Sequence, residues 1–190
     1  MEFIQKNNKI AGADIIIGGK APVRGMIAAL THAATVVINE QQHLQLALPS
    51  AAFTKDKSTC VVVNADDSIV DALYANKSLY GAYANVLTAD GVSACWNGII
   101  GAATASTTAV PAVVVGGKSS IPIIPDNLAY PATAVVFYEK GGSKKSITED
   151  EALKKIVAIT GESKAEFAAK LIKGLKLFTA GSASDVASII

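Results

Sequence analysis

The chain has 190 residues, enough for one domain with a buried core and one smaller segment. Charged residues make up 17% of it, against about 25% in ordinary soluble domains, and apolar residues make up 51%. We therefore expect flanks that neighbouring subunits cover. The net charge of +1 and the single arginine, Arg24, argue against duplex nucleic acid as a partner.

The N-terminal segment, residues 1–24, predicts an extended arm, because its isoleucines recur without a helical stripe. Within it, Ile15 and Ile17 are the residues that we expect to contact a neighbouring subunit. Two apolar runs follow at residues 25–30 and 34–38, and their length is typical of strands.

Residues 25–142 predict a mainly antiparallel β body of the sandwich or barrel type. Segments of strand length recur along it, separated by glycine, proline and Asp-Gly turns. After the two runs above, the predicted strands are 43–48, 58–64, 93–100, 110–115 and 132–138. One helical insertion near residues 67–86 interrupts the body, with a helix from about residue 68 to 76.

Residues 146–190 predict a small helical module, because they contain three helix-start signals. In each signal a hydroxyl residue stands three positions before an acidic one, so the hydroxyl can accept a hydrogen bond from the third helical amide. The pairs are Thr148 with Glu151, Ser163 with Glu166, and Ser182 with Asp185. The predicted helices are 149–159, 164–177 and 183–189.

The second of these helices carries an apolar stripe. Phe167, Leu171 and Leu175 fall at helical spacing, and Ile189 lies in the apolar end of the chain. We expect these four residues to pack against the β body or a neighbouring subunit. The lysines of this region, Lys164 among them, alternate with glutamates, which is typical of a solvated face.

A loose phosphate-binding pattern covers residues 112–119 and ends in Lys118 and Ser119. Phosphate binding of this kind requires a flexible loop that leads directly into a helix. Valines fill the loop here, and the proline-containing segment 121–125 is a poor helix start. We therefore expect a hairpin or strand connection at this place.

Three aspartates form a second candidate site. Asp66, Asp67 and Asp71 could offer oxygens to a hard cation, and Asp67 shares a helical face with Asp71. Aspartates at a helix start are also typical caps, so we expect capping there. We therefore expect neither a bound metal nor a cofactor.

The remaining polar chemistry is scattered. Cys60 and Cys95 are too few for a metal site or a disulfide framework, so we expect buried thiols, although a pairing between them stays open. His32 and His43 have no cysteine or carboxylate at ligand-like spacing. Four aromatic residues could form a glycan-binding platform: Tyr74, Tyr80, Tyr83 and Trp96.

A long uncharged stretch, residues 91–117, exceeds the length of a membrane span. It contains five glycines, a proline and a run of hydroxyl residues, which are costly in lipid. Two buried strands and a turn accommodate such a segment, so we expect no membrane contact.

An extended arm, an Ala/Val/Thr-rich β body and a short closing segment follow one another along the chain. The closing segment, LFTAGSASDVA at residues 177–187, is similar to the small-residue helix-start elements near module ends of phage fibres. In this organisation the chain resembles bacteriophage virion proteins of the head-fibre, capsid-decoration or tail-accessory type. The resemblance implies a non-enzymatic homo-oligomer located in the virion, with other virion structural proteins as partners, and it transfers no functional residue.

The sequence therefore predicts an α+β structural subunit rather than an enzyme. One alternative is a small ligand-binding protein or enzyme with its site at Lys118 and Ser119 or at residues 66–71. Another is a surface adhesion module that binds glycan through its aromatic residues.

Overall fold

The computed structural model describes residues 2–6, 9–14, 23–55, 58–76, 78–94, 114–115, 119–120 and 130–189. Within these ranges the chain has an α+β fold in which most strand pairs are antiparallel, and neither larger sheet closes into a barrel. This confirms the predicted fold class.

The elements follow one another in mixed order. The helices are α1 (Val23–Gln41), α2 (Asp67–Ala75), α3 (Glu149–Thr160), α4 (Ala165–Ile172) and α5 (Ala183–Ala187). The strands of the first half are β1 (Glu2–Lys6), β2 (Lys9–Asp14), β3 (Leu46–Leu48), β4 (Ser50–Lys55), β5 (Ser58–Val63), β6 (Leu79–Gly81), β7 (Asn85–Thr88) and β8 (Gly91–Ala94). Those of the second half are β9 (Val114–Val115), β10 (Ser119–Ser120), β11 (Ala132–Tyr138), β12 (Lys145–Ser146) and β13 (Lys176–Ala180).

The largest sheet has six strands in the order β12-β13-β11-β5-β4-β6. Its three central strands β13, β11 and β5 run parallel, and the others pair antiparallel to their neighbours. Val135 of β11 lies between Val61 and Leu177 in this register. Valine-rich parallel strands are typical of sheets that are buried on both faces.

Side chains of the central strands alternate between two cores. On the first face Cys60 and Val62 pack with α2 and α5. On the second face Val61 and Val63 pack with α3, α4 and the three-stranded sheet β3-β7-β8. The two pairs lie on opposite faces, as the two-residue period of a strand requires, and the sheet forms the middle layer of the protein.

The two larger sheets share one corner. β3 and β4 are separated only by Pro49, so the chain passes from one sheet to the other there. The Ser50 amide donates to the Tyr83 carbonyl at 3.1 Å, and Asn85 Nδ2 donates to the Ser50 carbonyl at 3.0 Å. A Cβ at Gly81 would lie 1.9 Å from Asn85 Oδ1, so any larger residue there would displace the Asn85 amide. The corner is thus fixed by buried polar contacts.

Helix α1 replaces the two strands predicted at residues 25–30 and 34–38, and that prediction was wrong. Thr31 and Thr35 are one helical turn apart and buried, and each hydroxyl donates to a carbonyl three residues earlier. The buried face of α1 therefore includes threonines as well as apolar residues. Because of this, the apolar residues alone do not repeat with the period of a helix. In the described part of the chain no helix combines the length and apolarity needed to cross a membrane.

The C-terminal segment confirms two of the three predicted starts. Thr148 and Glu151 form a capping box at the start of α3, and Ser182 accepts a hydrogen bond from the Asp185 amide at the start of α5. The start at Ser163 was wrong, because a 3₁₀ turn at Glu162–Lys164 already includes it.

The predicted helix 164–177 was also too long. α4 ends at Ile172, and Gly174 then has a φ of 77°, a left-handed conformation that glycine adopts without strain. The chain continues as β13, which pairs with β11 and β12. The C-terminal segment therefore supplies a strand to the main sheet.

The free edge of β3 is covered by a side chain instead of a strand. Asn39 Nδ2 donates to the Ala47 carbonyl at 2.8 Å, and the Ala47 amide donates to Asn39 Oδ1 at 2.9 Å. The Asn39 side chain thus makes the pair of hydrogen bonds that a neighbouring strand would make, and it attaches α1 to the smaller sheet.

We predict that Asn39→Ala lowers the free energy of unfolding by about 1–3 kcal/mol, because it leaves a partly buried donor and acceptor unpaired. Chemical denaturation followed by circular dichroism measures this loss. Gln42→Ala, at an exposed side chain just beyond α1, should change the value by less than about 0.5 kcal/mol. Equal losses in the two variants would contradict the role given to Asn39.

Candidate functional site

The carboxyl ends of β5 and β11 form a point where the chain leaves the sheet toward opposite faces. β5 leads into α2 on the first face, whereas β11 leads through β12 to α3 on the second. In open sheets with parallel strands, ligands usually bind in the crevice at such a switch point. The side chains at this edge are therefore candidates for function.

Asp66 is the central residue of this edge. Its Oδ1 accepts hydrogen bonds from the Ser68 amide at 2.9 Å, the Ile69 amide at 3.2 Å and the Ser68 hydroxyl. Its Oδ2 accepts from the Tyr138 hydroxyl at 3.3 Å and lies 3.8 Å from Lys140 Nζ. The carboxylate thus caps α2 and joins it to the end of β11, as the capping prediction required.

The electrostatics agree with an ionised Asp66. Partial burial alone raises the pKa of this carboxyl, but the hydrogen bonds from Ser68 and Ile69, together with Lys140, outweigh burial and lower the pKa below its usual range. The Lys140 side chain is 82% exposed, so its ammonium keeps most of its hydration.

The neighbouring acids are held separately. The Tyr83 hydroxyl donates to Asp67 Oδ1 at 3.3 Å, and Tyr83 has a φ of 65°, which is rare for a bulky residue. Asp71 lies one turn further along α2. Among the residues that the structure describes, no three His, Cys, Asp or Glu side chains form a group that could hold a metal ion.

An apolar groove lies on the second face of the protein. Phe167, Leu171 and Leu175 form one wall, and the β7–β8 turn with Pro131 forms the other. The groove has a volume of about 560 Å³. Its three apolar side chains are only half-buried, although they pack against the core of the second face.

Three of the six predicted assembly residues therefore lie together. Phe167, Leu171 and Leu175 line the groove, whereas Ile189 packs against the core on the opposite face of the sheet. Ile15 and Ile17 lie outside the described residues.

Lys164 is a structural residue that the sequence prediction placed wrongly on a solvated face. Its side chain is only 4% exposed, and its ammonium donates to the carbonyls of Gln42 and Gln45, the latter at 3.0 Å. Burial lowers the pKa of Lys164, and nearby Glu40 opposes that shift. The sequence signal for this buried role is the position of Lys164, which stands between Glu162 and Glu166 directly before α4.

The other candidate residues are dispersed. Cys60 is buried in the first core, where desolvation raises the pKa of its thiol and makes the thiolate rare. Ser119 belongs to β10, which pairs antiparallel with β9, so a strand follows where a phosphate-binding loop needs a helix. This confirms the predicted strand connection. Lys118, Cys95 and Trp96 lie outside the described residues, as does the side chain of Tyr74.

The two histidines and the described tyrosines make the following contacts. His32 lines a small cleft of about 90 Å³ between α1 and α3, and His43 is exposed. The Tyr80 ring packs edge-on against Tyr130, with ring centroids 4.9 Å apart. The Tyr83 hydroxyl donates to Asp67, and both Tyr80 and Tyr83 pack against the core of the first face.

No protein-family model and no curated protein matches this chain.

We predict that Asp66→Asn destabilises the protein by about 1 kcal/mol at pH 7, because asparagine still caps α2 but loses the charged contacts to Tyr138 and Lys140. In a Tyr138→Phe background the loss should be smaller, since one partner is already absent. Denaturation curves of the four proteins measure this coupling.

The same contact predicts a pH dependence. The folded pKa of Asp66 is lowered, so its stabilising contribution is present above the ordinary aspartate pKa of about 3.9 and is lost as the pH falls through the lowered value. The gap in unfolding free energy between the wild type and Asp66→Asn should therefore narrow between pH 7 and about pH 3. A gap that stayed constant would contradict this assignment.

Proposed function

We propose that the protein is a non-enzymatic structural subunit of a larger assembly and acts through contacts between subunits. The observation that carries the proposal is the groove lined by Phe167, Leu171 and Leu175, where apolar side chains stay half exposed on a folded surface. Apolar grooves with a polar rim mark interaction surfaces more often than isolated apolar residues do.

Helix α1 adds a second apolar surface. Between Gly25 and Asn39 it carries no Asp, Glu, Lys or Arg, and Leu30 is 43% exposed. A helix that is apolar over most of its circumference is usually covered on most of its sides. Contacts with neighbouring subunits would provide that cover.

The resemblance to phage virion proteins suggests the kind of particle in which such a subunit would assemble. We propose a capsid-associated, head-fibre or tail-accessory role in a virion, with copies of the same chain and other virion structural proteins as partners. The support is the chain's layout and the closing segment at residues 177–187. The low proportion of charged residues is consistent with surfaces covered by neighbours.

We predict that the purified protein has a mass in solution well above the 19.5 kDa of one chain. Leu171→Glu should lower that mass, because a carboxylate in the groove opposes apolar contact between subunits. Light scattering coupled to size-exclusion chromatography measures both proteins, and circular dichroism verifies that the variant is folded.

The matched control is Val157→Glu. Val157 is also a half-buried apolar residue, but it lines a separate groove on α3 with Leu153. This variant should keep the wild-type mass. A wild type that stays monomeric at high concentration would refute the proposed function.

A second candidate function rests on the switch point at Asp66, Tyr138 and Lys140. Its position at the carboxyl ends of adjacent parallel strands is where small polar ligands bind in comparable sheets. An exposed ammonium beside a partly exposed carboxylate could contact such a ligand. We rank this below assembly because the carboxylate is already hydrogen-bonded within the protein.

We predict that Mg²⁺ or ATP at millimolar concentration raises the melting temperature by less than about 1 °C if the protein is purely structural. A saturable rise that Lys140→Ala abolishes, and that Lys154→Ala on α3 leaves intact, would favour the ligand-binding function. Differential scanning fluorimetry measures these shifts.

A further inference from the structure

We propose that the groove is a two-fold interface between two copies of this chain, with Asp90 of each copy facing Lys170 of the other. The inference rests on the proposed assembly function and names the partner at that surface. It follows from the arrangement of apolar and charged residues around the groove.

The centre of the groove is apolar and its rim is charged. Phe167, Leu171 and Leu175 form the apolar centre, while Asp90 lies at the tip of the β7–β8 turn and Lys170 on the α4 wall. Interfaces between proteins commonly have this anatomy, in which an apolar core is surrounded by a polar rim.

The two charges have opposite signs and lie on opposite walls. A two-fold interface uses the same patch on both copies. If Asp90 of the first copy contacts Lys170 of the second, then Lys170 of the first copy also contacts Asp90 of the second. The two charged residues that line the groove, Asp90 on one wall and Lys170 on the other, are complementary to their own rotated copies. Two lining charges of the same sign would repel their rotated copies, whereas this pair attracts them, and this favours a second copy as the occupant.

Lys170 can exchange its present ion pair for this contact with little loss of stability. Its present partner is Glu166, one turn earlier on α4, at 2.7 Å. Both side chains are largely exposed, 70% for Lys170 and 86% for Glu166. Such a surface pair contributes little to stability, so exchanging it for the other copy's Asp90 is nearly neutral within the chain.

The turn that carries Asp90 is held rigidly. Gly91 has a φ of 131°, and a Cβ there would lie 2.2 Å from the Tyr130 carbonyl. The Val92 amide donates to the same carbonyl at 2.7 Å. The second wall of the groove is therefore preformed, which lowers the cost of ordering it on association.

The test uses single charge reversals on the full chain. Asp90→Lys alone and Lys170→Glu alone should each weaken self-association by about tenfold or more, since each places like charges opposite one another. An equimolar mixture of the two variants should restore a dimer, because every contact across the interface is then between opposite charges. Sedimentation velocity measures the masses, and circular dichroism verifies folding.

The mixture separates contacts between copies from contacts within one chain. If both variants are folded and dissociated but the mixture stays dissociated, the charges act within one chain and the inference is wrong. If the wild type assembles and neither reversal changes its mass, the interface lies elsewhere, and the proposed function stands while this inference fails. Lys154→Glu on α3 serves as the control and should leave the mass unchanged.

Discussion

The strand β11 is the element on which the rest of the fold depends, because it is enclosed on all four sides. It pairs with β5 along one edge and β13 along the other, and its side chains enter both cores. Val135 and Val136 are fully buried on opposite faces. Each face must therefore be covered, by α2 and α5 on one side and by α3 and α4 on the other. The C-terminal segment helps to cover both faces, since it provides α5 on one and α3 and α4 on the other. It also provides β13, which pairs with one edge of β11.

Local signals in the sequence were sufficient for the elements whose stability is local. The caps at Thr148 and Ser182 and the Asp-Gly turn at Gly91 each depend on a few neighbouring residues, and the structure has them as predicted. The strand predicted at residues 58–64 is present as β5, because a short run of β-branched residues is itself a local signal.

The failures were of another kind. α1 was missed because its inward positions include Thr31 and Thr35, whose hydroxyls are satisfied by the helix itself. β13 was missed because Gly174 ends α4 earlier than its apolar stripe indicates. Parallel pairing and strand order depend on partners distant in the chain, for which one sequence has no local signal. The groove shows the same limit: the three apolar residues of its first wall were predicted, but its opposite wall comes from residues 88–91 and 131–132, which are distant from them in the chain.

Lys164 connects the two walls of that groove, and this explains why a buried lysine is present. It directly precedes α4, the first wall, and its ammonium holds the carbonyl of Gln45, which directly precedes β3. β3 pairs with β7, whose turn into β8 carries the second wall. A buried ammonium costs desolvation free energy, which hydrogen bonds to two carbonyls offset. An apolar residue could fill the same space, but it would leave the end of α1 and the start of β3 unconnected to α4. The buried charge thus lies where it fixes the spacing between the two walls of the groove.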